Sequence, residues 1–228
     1  MASMLFWAAA LLALIFAANL VSRYRSKKSP FYLWWSVSFF LYVIAFGMEA
    51  LTVGSNWNVK FEYQLYIIAS AGLVGAMSVG TTYLALPKSK FAVGYAVYFV
   101  VVEVLLAVFA FVFPPVLHGS WAALNGGKDA IVGATQVMYL LLAAVGGPIV
   151  VLGALWSWWK SKRYYNLLIA VGALIPSSAG ALVSQGIGAS IFPIMNILGL
   201  VLIFLGYVYS RSSNQGRAIQ GQHQARGA

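Results

Sequence analysis

Cysteine is missing from the 228 residues, and charge is scarce. Without cysteine there can be no disulfide, no thiolate metal site and no cysteine nucleophile. Charged residues make up only 8% of the chain against 62% hydrophobic, whereas a soluble domain carries about 25% charged residues. Histidine is nearly absent as well: His118 and His223 stand far from any interior position. Two such residues cannot build a transmembrane haem or a three-histidine zinc site within one chain. No phosphate-binding loop, nucleotide fingerprint or GxSxG elbow occurs in a suitable context, and no connection is long enough to hold a soluble domain. A cofactor or metal is therefore not expected, and neither is a catalytic residue set.

Long apolar runs are what the chain does have. They cover approximately 3–22, 31–54, 62–86, 91–113, 130–156, 164–185 and 187–209. About 20 apolar residues in a helix cross a hydrocarbon layer of ~30 Å. The expected fold is all-α, a seven-transmembrane-helix bundle over residues 1–211. The segment 212–228 (from Ser212, SNQGRAIQGQHQARGA) is polar and rich in Gly and Gln, and reads as a flexible tail. The start of the first run carries no positive charge before Trp7, and Arg23, Arg25, Lys27 and Lys28 follow it. That order predicts an uncleaved first helix rather than a signal peptide.

Basic residues set the expected orientation. Of fourteen, all but Lys60 and Lys128 fall after runs one, three and five or in the tail: the cluster at 23–28, then Lys88 and Lys90, then Lys160, Lys162 and Arg163, then Arg211, Arg217 and Arg226. The positive-inside rule makes that side cytoplasmic, which puts the N-terminus outside and the C-terminus inside, as in a multi-pass protein of the plasma (cell) membrane. Because the cations are dealt to alternate connections, the net charge of +10 is not the footprint of nucleic-acid binding. The expected partners are the bilayer itself, anionic lipid at the basic face, and a membrane or cytoplasmic protein. In topology alone the layout resembles the microbial rhodopsins. No helix interior holds a lysine, however, so a retinal Schiff base cannot form.

Glu103 lies near the midpoint of the fourth run, FAVGYAVYFVVVEVLLAVFAFVF. A carboxyl at that depth is expensive, and intramembrane ionisable residues are functional candidates by default. Small and polar residues mark helix faces that meet other helices. Spacings of three and four group Ser38, Tyr42, Ala45, Glu49 and Thr52 on the second helix, and Gln64, Ile68, Ala71, Gly75, Ser78 and Thr82 on the third. The fourth groups Ala96, Val100, Glu103, Ala107 and Ala110; the fifth Gln136, Tyr139, Ala143 and Gly147; the sixth Ala173, Ser177, Ala181 and Ser184; the seventh Asn196, Gly199, Ile203 and Gly206.

Glu49, Gln64, Gln136, Gln185 and Asn196 gather in the predicted outer half, with Glu103 central. This asymmetry has two explanations: a polar cleft opening outward, or a hydrogen-bond network that locks the helices. The first makes Glu103, Glu49, Gln136, Tyr139, Ser177 and Asn196 candidates for binding a ligand or a proton. Glu49 is placed near the outer interface, where water reaches it and where it could attract cationic ligands. The expected function is non-enzymatic, receptor- or sensor-like, with an outward-facing polar cleft for a small ligand or partner. A small secondary transporter with Glu103 as its proton or cation coupling site is the second reading, and an enzyme acting on lipid the third.

Overall fold

The computed structural model describes residues 2–55, 57–118, 130–184 and 191–226, with side chains described outside 180–184 and 211–226. Among these residues there is no strand. Seven helices follow one another: α1 Ala2–Lys27, α2 Pro30–Thr52, α3 Lys60–Ala85, α4 Lys90–Val112, α5 Gly133–Ser161, α6 Tyr164–Ser184 and α7 Phe192–Arg226. Six are long and apolar enough to cross a membrane; for α6 the apolar stretch Tyr164–Ala179 is shorter. The chain is thus built as a multi-pass membrane protein.

Several boundaries depart from the apolar runs, for a common reason. Lys, Arg, Gln and Ser sustain a helix once it is nucleated, so α1 continues to Lys27 and α5 to Ser161 although hydropathy ends earlier. The last helix continues in the same way through the polar segment to Arg226. It begins at Phe192 rather than 187 among the described residues. Short connections force neighbouring helices to run antiparallel. Pro30 opens α2 directly after Lys28 and Ser29, where its fixed φ suits a first helical turn. Lys162 ends α5 in the left-handed region at φ +54, its amide donating to the Trp158 carbonyl at 2.6 Å.

Packing arranges six helices in a closed ring, α1–α2–α3–α5–α6–α7, with α7 returning to α1. The fourth helix stands outside the ring and packs on α3 and α5. The most buried span is α3, which touches α2, α4 and α5. The helix carrying Glu103 is therefore not the centre around which the bundle is built. Its face is also rotated from the expected one: Ala92, Ala96, Phe99, Val102, Leu106 and Ala110 are buried, whereas Val100 is exposed.

Specific contacts fix the register. The Ser3 hydroxyl donates to the Ala50 carbonyl (2.8 Å), tying the start of α1 to the end of α2. Ser38 donates to the Leu73 carbonyl (2.7 Å) and joins α2 to α3. Gln64 Nε2 donates to the Ala110 carbonyl (2.7 Å), while the Ser78 and Tyr95 hydroxyls pair at 2.8 Å; both tie α3 to α4. At the far side of the ring, the Tyr207 hydroxyl donates to Asn19 Oδ1 (3.3 Å). Where lipid surrounds the helices, packing and such bonds replace the hydrophobic effect as the glue. The locking explanation thus describes Ser38, Gln64 and Asn19.

Candidate functional site

Inside the ring lies a cavity of about 490 Å³, walled by α2, α3, α5, α6 and α7. A volume of this order suits a small organic ligand. From α2 it receives Tyr42, Ala45, Phe46 and Glu49, an i, i+3, i+4, i+7 face. From α3 come Tyr66, Ser70, Leu73, Val74 and Met77. The fifth helix adds Tyr139, Ala143 and Gly147 among others, α6 adds Ala173, Pro176 and Ser177, and α7 adds Phe192, Asn196 and Ile203.

Four of the six sequence candidates meet here: Glu49, Tyr139, Ser177 and Asn196. Their local bonding follows from helix geometry. Asn196 is 6% exposed and donates from Nδ2 to the Phe192 carbonyl (2.9 Å). The Ser177 hydroxyl donates back to the Ala173 carbonyl at 2.9 Å. Tyr139 is hydrogen-bonded to Ser70 across the α3–α5 boundary. Of the lining residues, Leu140 of α5 and Ser177 of α6 are exposed.

Glu49 departs from expectation. It was placed at a wet interface, yet it is 1% exposed. An aromatic cluster stands nearby, joined to Glu49 through Tyr66. Trp57 lies 5.1 Å from Tyr63 and 4.9 Å from Tyr66, ring centre to ring centre, and all three are buried. The Tyr66 hydroxyl is hydrogen-bonded to Glu49. Tyr42, Tyr66 and Tyr139 all lie within electrostatic reach of its carboxyl. Three phenols and one carboxyl therefore share the same end of the cavity.

The other two candidates lie elsewhere. Glu103 is half-buried, and its carboxyl rests against Gly72 of α3, with Leu41 of α2 alongside. At about 100° per residue, Gly72 is on the side of α3 opposite Tyr66, Ser70 and Met77. The third helix therefore stands between Glu103 and the cavity. Glu103 Oε2 is buried without a hydrogen-bond partner among the described residues. Gln136 is half-buried one turn before Tyr139 and does not line the cavity. Gln185, Trp121 and Lys128 lie outside the described residues.

Sequence reasoning missed the cavity face of α3. It took Gln64, Gly75 and Ser78 as the important stripe, but these face α4: Gln64 bonds Ala110, Gly75 abuts Phe99, and Ser78 bonds Tyr95. The signal that could have found the other face is the 4, 4, 3 spacing of Tyr66, Ser70, Val74 and Met77. Phe46 and Phe192 fall on none of the small-and-polar stripes.

Two hollows occupy the opposite, basic end. One, of about 650 Å³, is walled by Leu152, Trp156, Trp158 and Trp159 of α5 with Leu86 and Phe91. The other, about 330 Å³, is bordered by Lys160, Ser157, Asn166 and the buried Trp35. They share Thr81, Ala85, Gly153 and Trp156. Compared with known protein families, curated proteins and solved structures, the chain matches none.

Proposed function

We propose that this is a non-enzymatic, receptor- or sensor-like protein of the plasma membrane that crosses it seven times, with its N-terminus outside. In this reading the ring cavity, in the outer half of the bundle, is where a small ligand binds. The observation that carries it is the convergence of Glu49, Tyr139, Ser177 and Asn196 from four different helices on one cavity of about 490 Å³. Polar groups in a membrane interior are costly and tend to serve a site. Helix locking alone would be expected to scatter them among separate contacts, as it does Ser38 and Gln64. A transporter that couples through Glu103 finds less support, because α3 separates that carboxyl from the cavity. The basic end is then cytoplasmic. Each lysine or arginine near an anionic leaflet is worth about 1 kcal/mol, and the hollow beside Lys160 is a suitable seat for an anionic headgroup. A signal would leave through a membrane or cytoplasmic partner docked at that end.

The absence of cysteine makes the test direct, since any introduced thiol is unique. Ala143→Cys, in the cavity wall, should react with a membrane-impermeant methanethiosulfonate added outside intact cells. Ser55→Cys should react from the same side, Ser89→Cys only from the cytoplasmic side, and the lipid-facing Val93→Cys from neither. If Ser55→Cys is labelled and Ala143→Cys stays inert in folded protein, the outward-facing site is wrong. If Ser55→Cys and Ser89→Cys exchange sides, the orientation is wrong.

A further inference from the structure

The two hollows at the basic end meet at one helix contact. Thr81 and Ala85 of α3 and Gly153 and Trp156 of α5 border both. A Cβ at Gly153 would fall 2.5 Å from Thr81 Cγ2, so the missing side chain is what lets α5 close on α3 there. The larger hollow extends to Phe91 of α4, and the smaller to Trp35 of α2 and Asn166 of α6.

Their chemistry differs. The smaller hollow is rich in donors, with Lys160, Ser157, Ser161 and Asn166 on its border. Trp35 borders it as well; this side chain is 2% exposed, and its indole Nε1 has no hydrogen-bond partner among the described residues. A buried donor left unpaired is costly, and an acceptor in the adjacent space removes that cost. Asn166 Nδ2 donates to Ser161 Oγ (3.0 Å), which leaves its second hydrogen. No Asp or Glu among the described residues borders either hollow, so no carboxylate competes for these donors. The larger hollow is hydrocarbon and indole. Its Thr81 and Thr82 hydroxyls donate to the Met77 and Ser78 carbonyls of their own helix, each at 2.9 Å. Leu152, Trp156 and Trp159 are exposed in its wall.

Ligand classes can be weighed against this pair. A free inorganic anion would use the donors and leave the apolar hollow empty. A neutral chain would do the reverse and leave the Trp35 N–H unpaired. A zwitterionic headgroup would bring an ammonium toward Lys160 with no carboxylate to receive it. The Trp158 and Trp159 rings already carry a cation, with Lys162 Nζ 5.7 and 5.9 Å from their centres. An anionic amphiphile uses both hollows at once.

We propose that the two hollows form one site for an anionic phospholipid of the surrounding bilayer. The Trp35 indole N–H and the Lys160 ammonium hold its phosphodiester, and one acyl chain lies in the larger hollow against Leu152 and Trp156. This deepens the reading of the hollow beside Lys160 as a headgroup seat and rests on it. The Trp35 donor is what distinguishes the seat from a surface lysine, because a hydrogen bond from a buried N–H to an anion is fixed in place and stronger than one between neutral groups.

The experiment is photolabelling of the full chain in phosphatidylcholine nanodiscs by a phosphatidylglycerol whose acyl chain carries a diazirine, with adducts located by tandem mass spectrometry. Saturable adducts within 149–159 and at Phe91 are expected. Unlabelled phosphatidylglycerol should displace them; inorganic phosphate and glycerophosphoglycerol, the headgroup without chains, should not. Trp35→Phe keeps a ring and removes the N–H, and should raise the half-saturating concentration about tenfold. Lys160→Gln should raise it about fivefold; Lys160 is exposed, so this variant serves if Trp35→Phe does not fold. Unsaturable adducts, as frequent at the exposed Val97 and Val101 of α4 as on α5, overturn the site and leave annular lipid only. Displacement by phosphate or glycerophosphoglycerol also overturns it and leaves a seat for a free anion. Unchanged labelling in folded Trp35→Phe overturns it too, since water then satisfies the indole. Labelling of Ser89→Cys reports separately which side of the membrane this end faces, so a wrong orientation and a wrong site are distinguished.

Discussion

A methyl group added at Gly199 has nowhere to go. The Cβ would lie 2.6 Å from the Gly172 carbonyl oxygen and would collide with the Pro176 ring. The reciprocal substitution at Gly172 puts a methyl 2.8 Å from both the Gly199 carbonyl oxygen and the Ile203 amide nitrogen. Separations below 3.0 Å are clashes, and here the opposing atoms are largely backbone, which cannot swing aside as a side chain can. The two helices have to separate by several tenths of an ångström along this seam. That loosens the α6–α7 contact on which the Asn196 and Ser177 walls of the cavity depend. Over-packing of this kind costs about 1–3 kcal/mol. Gly94 of α4 is the internal control, since a methyl there meets nothing within 4 Å. Far-UV circular dichroism of thermal unfolding in matched nanodiscs should therefore show Gly199→Ala and Gly172→Ala unfolding several degrees below the parent, with Gly94→Ala at or above it. If Gly199→Ala and Gly94→Ala unfold together, the backbone-to-backbone seam between α6 and α7 is not present, and the placement of Asn196 opposite Ser177 falls with it.

Other substitutions read different parts of the packing. Gln64→Leu removes the bond to the Ala110 carbonyl and should lower stability by about 0.6 kcal/mol, with about 1.7 as an upper bound, measured by the same unfolding experiment. Glu103→Met replaces a carboxyl whose Oε2 lacks a partner among the described residues with an apolar chain of similar length. It should be neutral or stabilise by about 1 kcal/mol, whereas Glu103→Ala leaves a void against Gly72 and should destabilise. A marked loss in Glu103→Met would show that the carboxyl has a partner. Ala143→Trp fills part of the ring cavity; a thermal shift upward by the equivalent of about 0.5–2 kcal/mol is expected. A folded Ala143→Trp protein that melts well below the parent would show that the space beside Ala143 is already filled.

Much of this architecture is written along the chain. Hydropathy run-lengths suffice for a helical membrane protein, with seven helices among the described residues and six of them long and apolar enough to cross, because the thickness of a bilayer and the cost of unpaired backbone groups within it are imposed from outside. Small residues such as Gly199 and Gly206 pointed to a close helix seam, and Glu49, Tyr139, Ser177 and Asn196 were legible as polar groups in apolar surroundings. Which side of each helix those groups share was not legible. In lipid both the outward and the inward face of a helix are apolar, so the period-3.6 contrast that orients a helix in a soluble protein is weak. The rotation of α4 was therefore misread by about one residue, Val100 being exposed where Phe99 and Val102 are buried. The single most conspicuous residue of the sequence, Glu103, also proved to lie behind α3 rather than in the cavity. Its depth follows from its place in the run, but its azimuth depends on α4 packing outside the ring. Tertiary structure alone decided that α3 is the central helix, that Tyr66 of α3 and Phe192 of α7 join Glu49 of α2 on one wall, and that this carboxyl, expected to be wet, is buried. These depend on contacts between different helices, where local spacing carries no information.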